Sequence, residues 1–386
     1  MSDIVNTQSP LGSVSVEQFF AEYWQKKPLL VRQAFPGFIS PISPEELAGY
    51  ALEEDITSRL IIETPTDDPL HSLWQVKHGP FPETVFAELP EKHWTLLVQN
   101  LDSFNEAANQ LLQSFRFLPN WRLDDVMASY ASMGGGVGPH FDYYDVFLLQ
   151  GLGSRRWKLG QICDAQSPLL PDVAMQILTE FDTNEEWVLE PGDMLYLPPQ
   201  LAHWGTAASD NCITYSIGFR APSHEDILLD FCQEASSFLL QDQRYTDIDL
   251  KPTKYCGEIP CSAISQVQNI LQTYTGDTGK IAEWFGKYMT QPNMDTEFSP
   301  ISPMLFDELT ATNSFQLSPH VRAAYFQLPD EQCMLFINGM KWLTNTALAS
   351  GLSAYQTLYW SKLTKEQQAV IAELCEYELL IENRGE

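Results

Sequence analysis

Between Ser58 and Phe219 the chain is cut into short apolar runs, RLIIET, WQVKHGPF, MASYASM, DVFLLQG, RRWKLG, EWVLE, DMLYLP and ITYSIGFR, divided by Gly, Pro, Asn and Asp. Runs of this length, rich in β-branched and aromatic residues and bounded by turn formers, specify strands. Many short strands in succession bury their apolar faces by closing two antiparallel sheets on each other, so the spacing predicts a mainly β core of the double-sheet jelly-roll type. One stretch inside this region, WTLLVQNLDSFNEAANQLLQSF, reads as helix instead.

Helical patterns flank the β-rich region. In SVEQFFAEYWQKKPLLVRQAF, Ser15 and Gln18 form a capping-box pattern, Pro28 stops the helix, and Leu29, Leu30 and Val31 follow as a short strand. SPEELAGYAL repeats the start signal with Ser43, Pro44 and Glu46. After Arg220 the texture changes. SHEDILLDFCQEASSFLL begins with Ser223 and Asp226 as caps and sets Ile227, Leu228, Phe231, Phe238 and Leu239 on one helical face, which favours a dimer contact. A second helical pattern runs from SAISQVQNILQTY to IAEWFGKYM, and a mixed α/β pattern closes the chain. The expected organisation is a β-rich domain at 1–224, a helical module at 225–292 and a terminal domain at 293–386.

Charge narrows the partners. Asp and Glu total 51 against 22 Lys and Arg, a net charge of -29, which opposes direct nucleic-acid binding and attracts a basic protein. The seven cysteines, 163, 212, 232, 256, 261, 333 and 375, include no CxxC pair and are expected as reduced thiols. No apolar run has the roughly 18 residues needed to span a bilayer, and the N-terminus MSDIVNTQSP has neither a basic start nor an apolar stretch, so a cytoplasmic, membrane-free protein is expected.

The chemistry concentrates in GGGVGPHFDYYDVFLLQG and LEPGDMLYLPPQLAHWG. His140 and Asp142 stand at i and i+2, on one face of an extended segment, with Phe141 pointing the other way. Pro191-Gly192-Asp193 turns the chain into the strand 194–197, and Pro198-Pro199 breaks it before His203. Two histidines and one carboxylate on one side of an ion leave the opposite positions open, the ligand set of non-haem Fe(II) oxygenases. The histidines at 71, 78, 93, 224 and 320 have no such context. An iron oxygenase draws electrons from a co-substrate, usually 2-oxoglutarate, whose far carboxylate needs a buried cation. In SRRWKL, Arg155 shares a strand face with Trp157 and Leu159, while Arg156 shares the other with Lys158, so Arg155 points inward and suits a bidentate pair.

The segments GPHFDYYDVFLLQGLGSRRW, EPGDMLYLPPQLAHWG and YSIGFRAPS, preceded by YWQKKPLLVRQAF, closely resemble the JmjC-type ribosomal oxygenases, specifically the bacterial ribosomal-protein arginine hydroxylases. The likeness covers about residues 15 to 225. It implies a double-stranded β-helix, cupin-like core, a helical dimerisation region and a C-terminal winged-helix-like domain. It further implies Fe(II) held by His140, Asp142 and His203, 2-oxoglutarate held by Arg155, O2 as co-substrate, and β-carbon hydroxylation of an arginine in a basic large-subunit ribosomal protein. A guanidinium needs carboxylate and aromatic partners, and Asp124, Tyr143 and, less directly, Ser216 are the candidates. Two alternatives stay open: a histidine hydroxylase or lysine demethylase of the same superfamily, and a non-enzymatic scaffold that docks ribosomal proteins.

Overall fold

The computed structural model describes residues 9–293 and 313–383. The chain divides into two compact units, Met1–Ala221 with Asn293–Glu297, and Pro222–Pro292 with Phe298–Glu386. The expected boundary near 293 opens onto a stretch of which 294–312 lies outside the described residues, as does the N-terminal segment 1–8.

The first unit opens with α1 (Val16–Glu22), where the Ser15 hydroxyl accepts from the Gln18 amide at 3.1 Å. The Gln18 side chain turns forward to Glu22 at 3.2 Å, so only half of the expected capping box forms. β1 (Leu29–Val31) and α2 (Pro44–Tyr50) follow, and here Ser43 and Glu46 complete both bonds of the box. Next come β2 (Ser58–Thr64), β3 (Leu73–His78), α3 (Thr84–Ala87), β4 (Trp94–Val98), α4 (Glu106–Gln113), β5 (Leu123–Ala131), β6 (Val146–Leu152) and β7 (Arg155–Ile162). The unit closes with β8 (Glu185–Leu189), β9 (Met194–Leu197), β10 (Leu201–Ala207) and β11 (Cys212–Phe219).

Two elements depart from expectation. WTLLV, read as helix, is strand β4, paired with β2 on one side and β5 on the other, and the helix begins only at Glu106 behind its Asn105 cap. A short apolar run has no periodicity that separates strand from helix, and here the pairing partners on both sides decide. The segment after Pro198-Pro199 is not a break alone: it becomes β10, which pairs with β7.

An eight-stranded antiparallel sheet runs β1-β9-β6-β11-β5-β4-β2-β3, and a second sheet runs β10-β7-β8. Strand parity sorts the side chains of the large sheet onto two faces. Phe147, Leu149, Met194, Tyr196, Ile213, Tyr215 and Ile217 join Phe19, Leu47, Leu111 and Phe115 of the helical layer in the main core. The alternate residues, Val146, Leu148, Leu195 and Leu197, face the small sheet and pack with Trp157, Leu159, Leu189 and Leu201. The sheets enclose a cavity on this second face.

The second unit contains α5 (His224–Ser237), α6 (Cys261–Thr275), α7 (Thr278–Thr290), β12 (Ser314–Leu317), β13 (Ala323–Gln327), β14 (Gln332–Ile337) and β15 (Met340–Asn345). It ends with α8 (Thr346–Ser353), β16 (Leu358–Tyr359), α9 (Lys365–Glu376) and β17 (Leu380–Asn383). Ser223 and Asp226 cap α5 reciprocally. Phe231 of α5 packs edge-on against Trp284 of α7 at 5.2 Å, whereas Leu228, Leu229, Phe238 and Leu239 are exposed. A β13-β14-β15 meander and a β16-β12-β17 sheet share a core with α8 and α9 built on Phe315, Leu335, Leu352 and Leu374. Among the described residues no helix is long and apolar enough to cross a membrane, and all seven cysteines are free thiols.

Candidate active site

The glycine-rich run before His140 exists because the chain must lie against two neighbours. Gly136 pairs with Thr206 of β10 through an isolated bridge, and a Cβ there would collide with the Gly205 carbonyl. Gly138 takes φ +78°, the left-handed region that only glycine enters freely, and lies against Ile177 and Trp74. At both glycines the space a Cβ would need is filled by the protein itself.

From Gly138 the chain enters a second bridge, His140 to His203, with amide-to-carbonyl bonds of 3.0 and 2.8 Å in both directions. This hydrogen-bonded pair sets the two histidines directly opposite each other, their rings 4.2 Å apart. The HxD segment therefore precedes β6 as an extended loop and is not itself a regular strand. The Asp142 carbonyl accepts from the Gln200 amide, which fixes the next residue pair of the same ladder. Phe141 points away, as parity predicts, into a small cluster with Cys163, Leu178 and Ala202.

Both imidazoles are held by Nδ1, His140 on the Gly138 carbonyl and His203 on the Leu201 carbonyl, each at 2.9 Å. A carbonyl only accepts, so each ring donates from Nδ1 and leaves the Nε2 lone pair directed outward. The Asp142 Oδ2 lies 4.0 Å from His140 Nε2 and 3.6 Å from His203 Nε2, and one ligand atom from each residue falls within 4.8 Å of the others. Burial, with the neighbouring His140, lowers the pKa of His203 to about 4, which keeps the imidazole neutral and able to ligate. Among the described residues this is the one cluster of its kind. The donor set fits a divalent transition metal.

A cavity of about 370 Å³ opens beside the triad. Arg155, 2% exposed, lines it from β7, and its Nε and Nη2 are buried with no hydrogen-bond partner. Its guanidinium lies over the Trp157 ring at 5.7 Å. An arginine left in this state fits a ligand carboxylate, because unpaired buried donors are costly and a fork of two N–H groups matches two oxygens. Arg156 faces outward to Glu186 at 3.1 Å, as its parity requires.

The other predicted residues divide. Ser216 lines the cavity from β11. Asp124 does not: it is partly exposed and accepts from Arg220 Nε at 3.2 Å and Asn293 Nδ2 at 3.0 Å. Its neighbour Asp125 lines the cavity, on the face shared with Met127 and Ser129, while Val126 and Ala128 enter the main core. Tyr143, 50% exposed, packs on Phe141 at 5.2 Å, and Tyr144 takes the place at the cavity wall. Packing around the phenol and the carboxylates of Asp142 and Asp125 push the Tyr144 hydroxyl pKa upward. The signal for Asp125 was available in the alternation of MASYA read backwards through Val126. Tyr144 had none, since the chain leaves strand geometry between Phe141 and Asp145.

A JmjC domain model matches residues 110–227. The ribosomal protein uL16 3-hydroxylase of Escherichia coli is 36% identical over 286 residues, 74% of this chain and 74% of that protein. A probable ribosomal oxygenase of Haemophilus influenzae is 42% identical over 219 residues, 56% of this chain and 52% of that protein. The X-ray structure of E. coli ycfD superposes with TM-score 0.83 and 30% identity, covering 96% of this chain and 99% of that one. The structure of YcfD, a ribosomal oxygenase from E. coli, in complex with cobalt and 2-oxoglutarate gives TM-score 0.79 and 29% identity over the same shares. The chain belongs to the JmjC-type ribosomal oxygenases.

Proposed function

We propose that this protein is an Fe(II)- and 2-oxoglutarate-dependent hydroxylase of an arginine β-carbon in a large-subunit ribosomal protein, uL16 being the first candidate because it is named in the E. coli relative. The observation that carries the reading is the placing of an orphaned, buried Arg155 and the His140, Asp142 and His203 ligand atoms on one cavity. His140 Nε2, His203 Nε2 and an Asp142 oxygen hold the metal, and Arg155 pairs with the far carboxylate of 2-oxoglutarate. Bound together, Fe(II) and 2-oxoglutarate supply the oxidation: O2 places one oxygen in the substrate hydroxyl and one in succinate, with release of CO2.

The chain's own residues orient and shield. Tyr144 walls the cavity beside Asp142, the carboxylate that completes the ligand set. Val146, Leu148, Trp157 and Ile177 wall the cavity with apolar surface and keep water from the oxidising centre. Asp125 and Ser216 meet the substrate guanidinium from adjacent strands, and Gly218 leaves room for the Asp125 side chain, since a Cβ there would lie 3.1 Å from Oδ1. The Asp125 carboxylate on the same cavity favours arginine over the neutral imidazole of a histidine substrate.

In this reading residues 225–292 form a dimerisation module and 293–386 a winged-helix-like domain that contacts protein. The exposed Leu228, Leu229, Phe238 and Leu239 of and just after α5 support a homodimer. A cytoplasmic location follows from the substrate. Purified protein incubated with Fe(II), ascorbate, 2-oxoglutarate and uL16 should add one oxygen to a single arginine, read by intact mass and fragmentation. Absence of added mass, or activity that survives His140→Ala, overturns the assignment.

A further inference from the structure

Arg59, Asp125, Asp142 and Arg155 are the cavity-lining residues, among those described, whose charge does not depend on histidine protonation. In the proposed reaction Asp142 serves the metal, Arg155 the co-substrate and Asp125 the substrate guanidinium. Arg59 is left without a role. It lines the cavity from the start of β2, its Nε is buried without a partner, and it makes no ion pair among the described residues.

Register locates it. Arg59 pairs with Leu97, Leu97 with Ser129 and Ser129 with Thr214, a row across β2, β4, β5 and β11 whose four side chains all line the cavity. Asp125 lies four residues along β5 from Ser129 and two strands from β2. At ~3.3 Å per residue and ~4.8 Å per strand the two backbone positions are roughly 16 Å apart. That separation is too great for Arg59 and Asp125 to neutralise each other, and it equals the length of about five residues of extended chain. In the proposed reaction 2-oxoglutarate would be held between Arg155 and the triad. A polypeptide anchored at Asp125 by its arginine is the ligand that reaches Arg59.

We propose that Arg59 is a second anchor for the substrate polypeptide, its guanidinium donating to an acceptor oxygen, main-chain carbonyl or carboxylate, roughly three to five residues from the hydroxylated arginine. This rests on the reading of the cavity as a protein-hydroxylase site. It makes Arg59 a selector of sequence context: it holds the segment in register while Asp125 holds the target side chain.

The test measures binding without turnover, by fluorescence anisotropy of labelled peptides tiled across uL16, with Mn(II) and 2-oxoglutarate present and O2 excluded. Arg59→Ala and Arg59→Gln should weaken the best-binding peptide by about tenfold or more and leave 2-oxoglutarate affinity unchanged, with Arg59→Lys recovering part of the loss. Truncation to within two residues of the arginine should abolish the difference between wild type and Arg59→Ala. If the loss disappears when the peptide's Asp and Glu are replaced, the acceptor is a carboxylate; if it persists, it is a main-chain carbonyl. Unchanged peptide affinity in Arg59→Ala, an equal loss of 2-oxoglutarate affinity, or a penalty retained by the truncated peptide overturns the proposal. Wild-type protein that binds no uL16 peptide overturns the uL16 reading and Arg59 with it. Wild-type binding that is indifferent to Arg59 overturns Arg59 alone.

Discussion

At the scale of single residues, the site is set by where buried polar atoms find partners and where they do not. His140 and His203 have their Nδ1 atoms satisfied and their Nε2 atoms directed at Asp142, so their ligating geometry exists before any ion arrives. Arg155 is the opposite case, a buried cation whose Nε and Nη2 lack partners. Replacing it removes a cost from the free protein and a bond from the complex. Arg155→Ala should therefore weaken 2-oxoglutarate binding by about 1.5–3 kcal/mol, roughly tenfold to a hundredfold, with little or no loss of thermal stability and unchanged Mn(II) affinity. Arg155→Lys should fall between, because a point charge replaces a planar fork. Calorimetric titration with 2-oxoglutarate separates the two variants from wild type, and a stability loss larger than the binding loss would contradict the argument. The triad and Arg155 were legible in the sequence because parity works within a strand once its apolar face is known. Tyr144 was not, and for Asp125 the alternation was there but the neighbouring Asp124 was chosen; the candidates Asp124 and Tyr143 each stand one position from a residue that lines the cavity. A one-residue slip exchanges the faces of an extended segment, so a wrong neighbour is the expected error wherever the strand boundary is uncertain.

At the scale of elements, alternation was the readable signal and pairing the hidden one. β6, β7, β9 and β11 announced themselves through apolar runs with turn residues at their ends. β4 and β10 did not: WTLLV has no period to distinguish it from a buried helix, and LAHWGTA follows two prolines and carries a glycine that weakens a strand pattern. Both are strands because a partner is waiting, β2 and β5 for the first and β7 for the second. That partnership also explains Gly136 and Gly205. The two chains approach so closely at the Gly136–Thr206 bridge that any side chain at 136 meets the Gly205 carbonyl. The His140–His203 bridge lies four residues along the same approach. Gly136→Ala should cost about 1–3 kcal/mol in urea unfolding, and it should weaken metal binding, because the shift that relieves the collision parts the two histidines. Gly257→Ala, where a Cβ meets nothing within 4 Å, is the matched control. Equal metal affinity in Gly136→Ala and wild type would show that the bridge does not set the ligand spacing.

For the whole molecule, the governing quantity is a net charge of -29 carried by a chain whose proposed substrate is basic and whose co-substrate is a dianion. The two ligands must therefore respond to the protein's field with opposite signs. A basic protein is drawn in, while 2-oxoglutarate is repelled at long range and captured only by the local cation Arg155. Screening acts on the long-range part of each interaction, since the Debye length falls from about 10 Å at 0.1 M salt to about 3 Å at 1 M. Raising salt from about 0.05 M to about 0.5 M should slow association of full-length uL16 by about tenfold or more, with a smaller change in its dissociation rate, because steering contributes to encounter more than to residence. Over the same range 2-oxoglutarate affinity should hold or rise, as weaker repulsion by the acidic surface offsets weaker attraction by Arg155. Stopped-flow association of labelled uL16 and titration of 2-oxoglutarate in the same buffers test both signs together. A salt-insensitive association rate would mean that the acidic surface serves solubility alone and that recognition begins only at the cavity mouth.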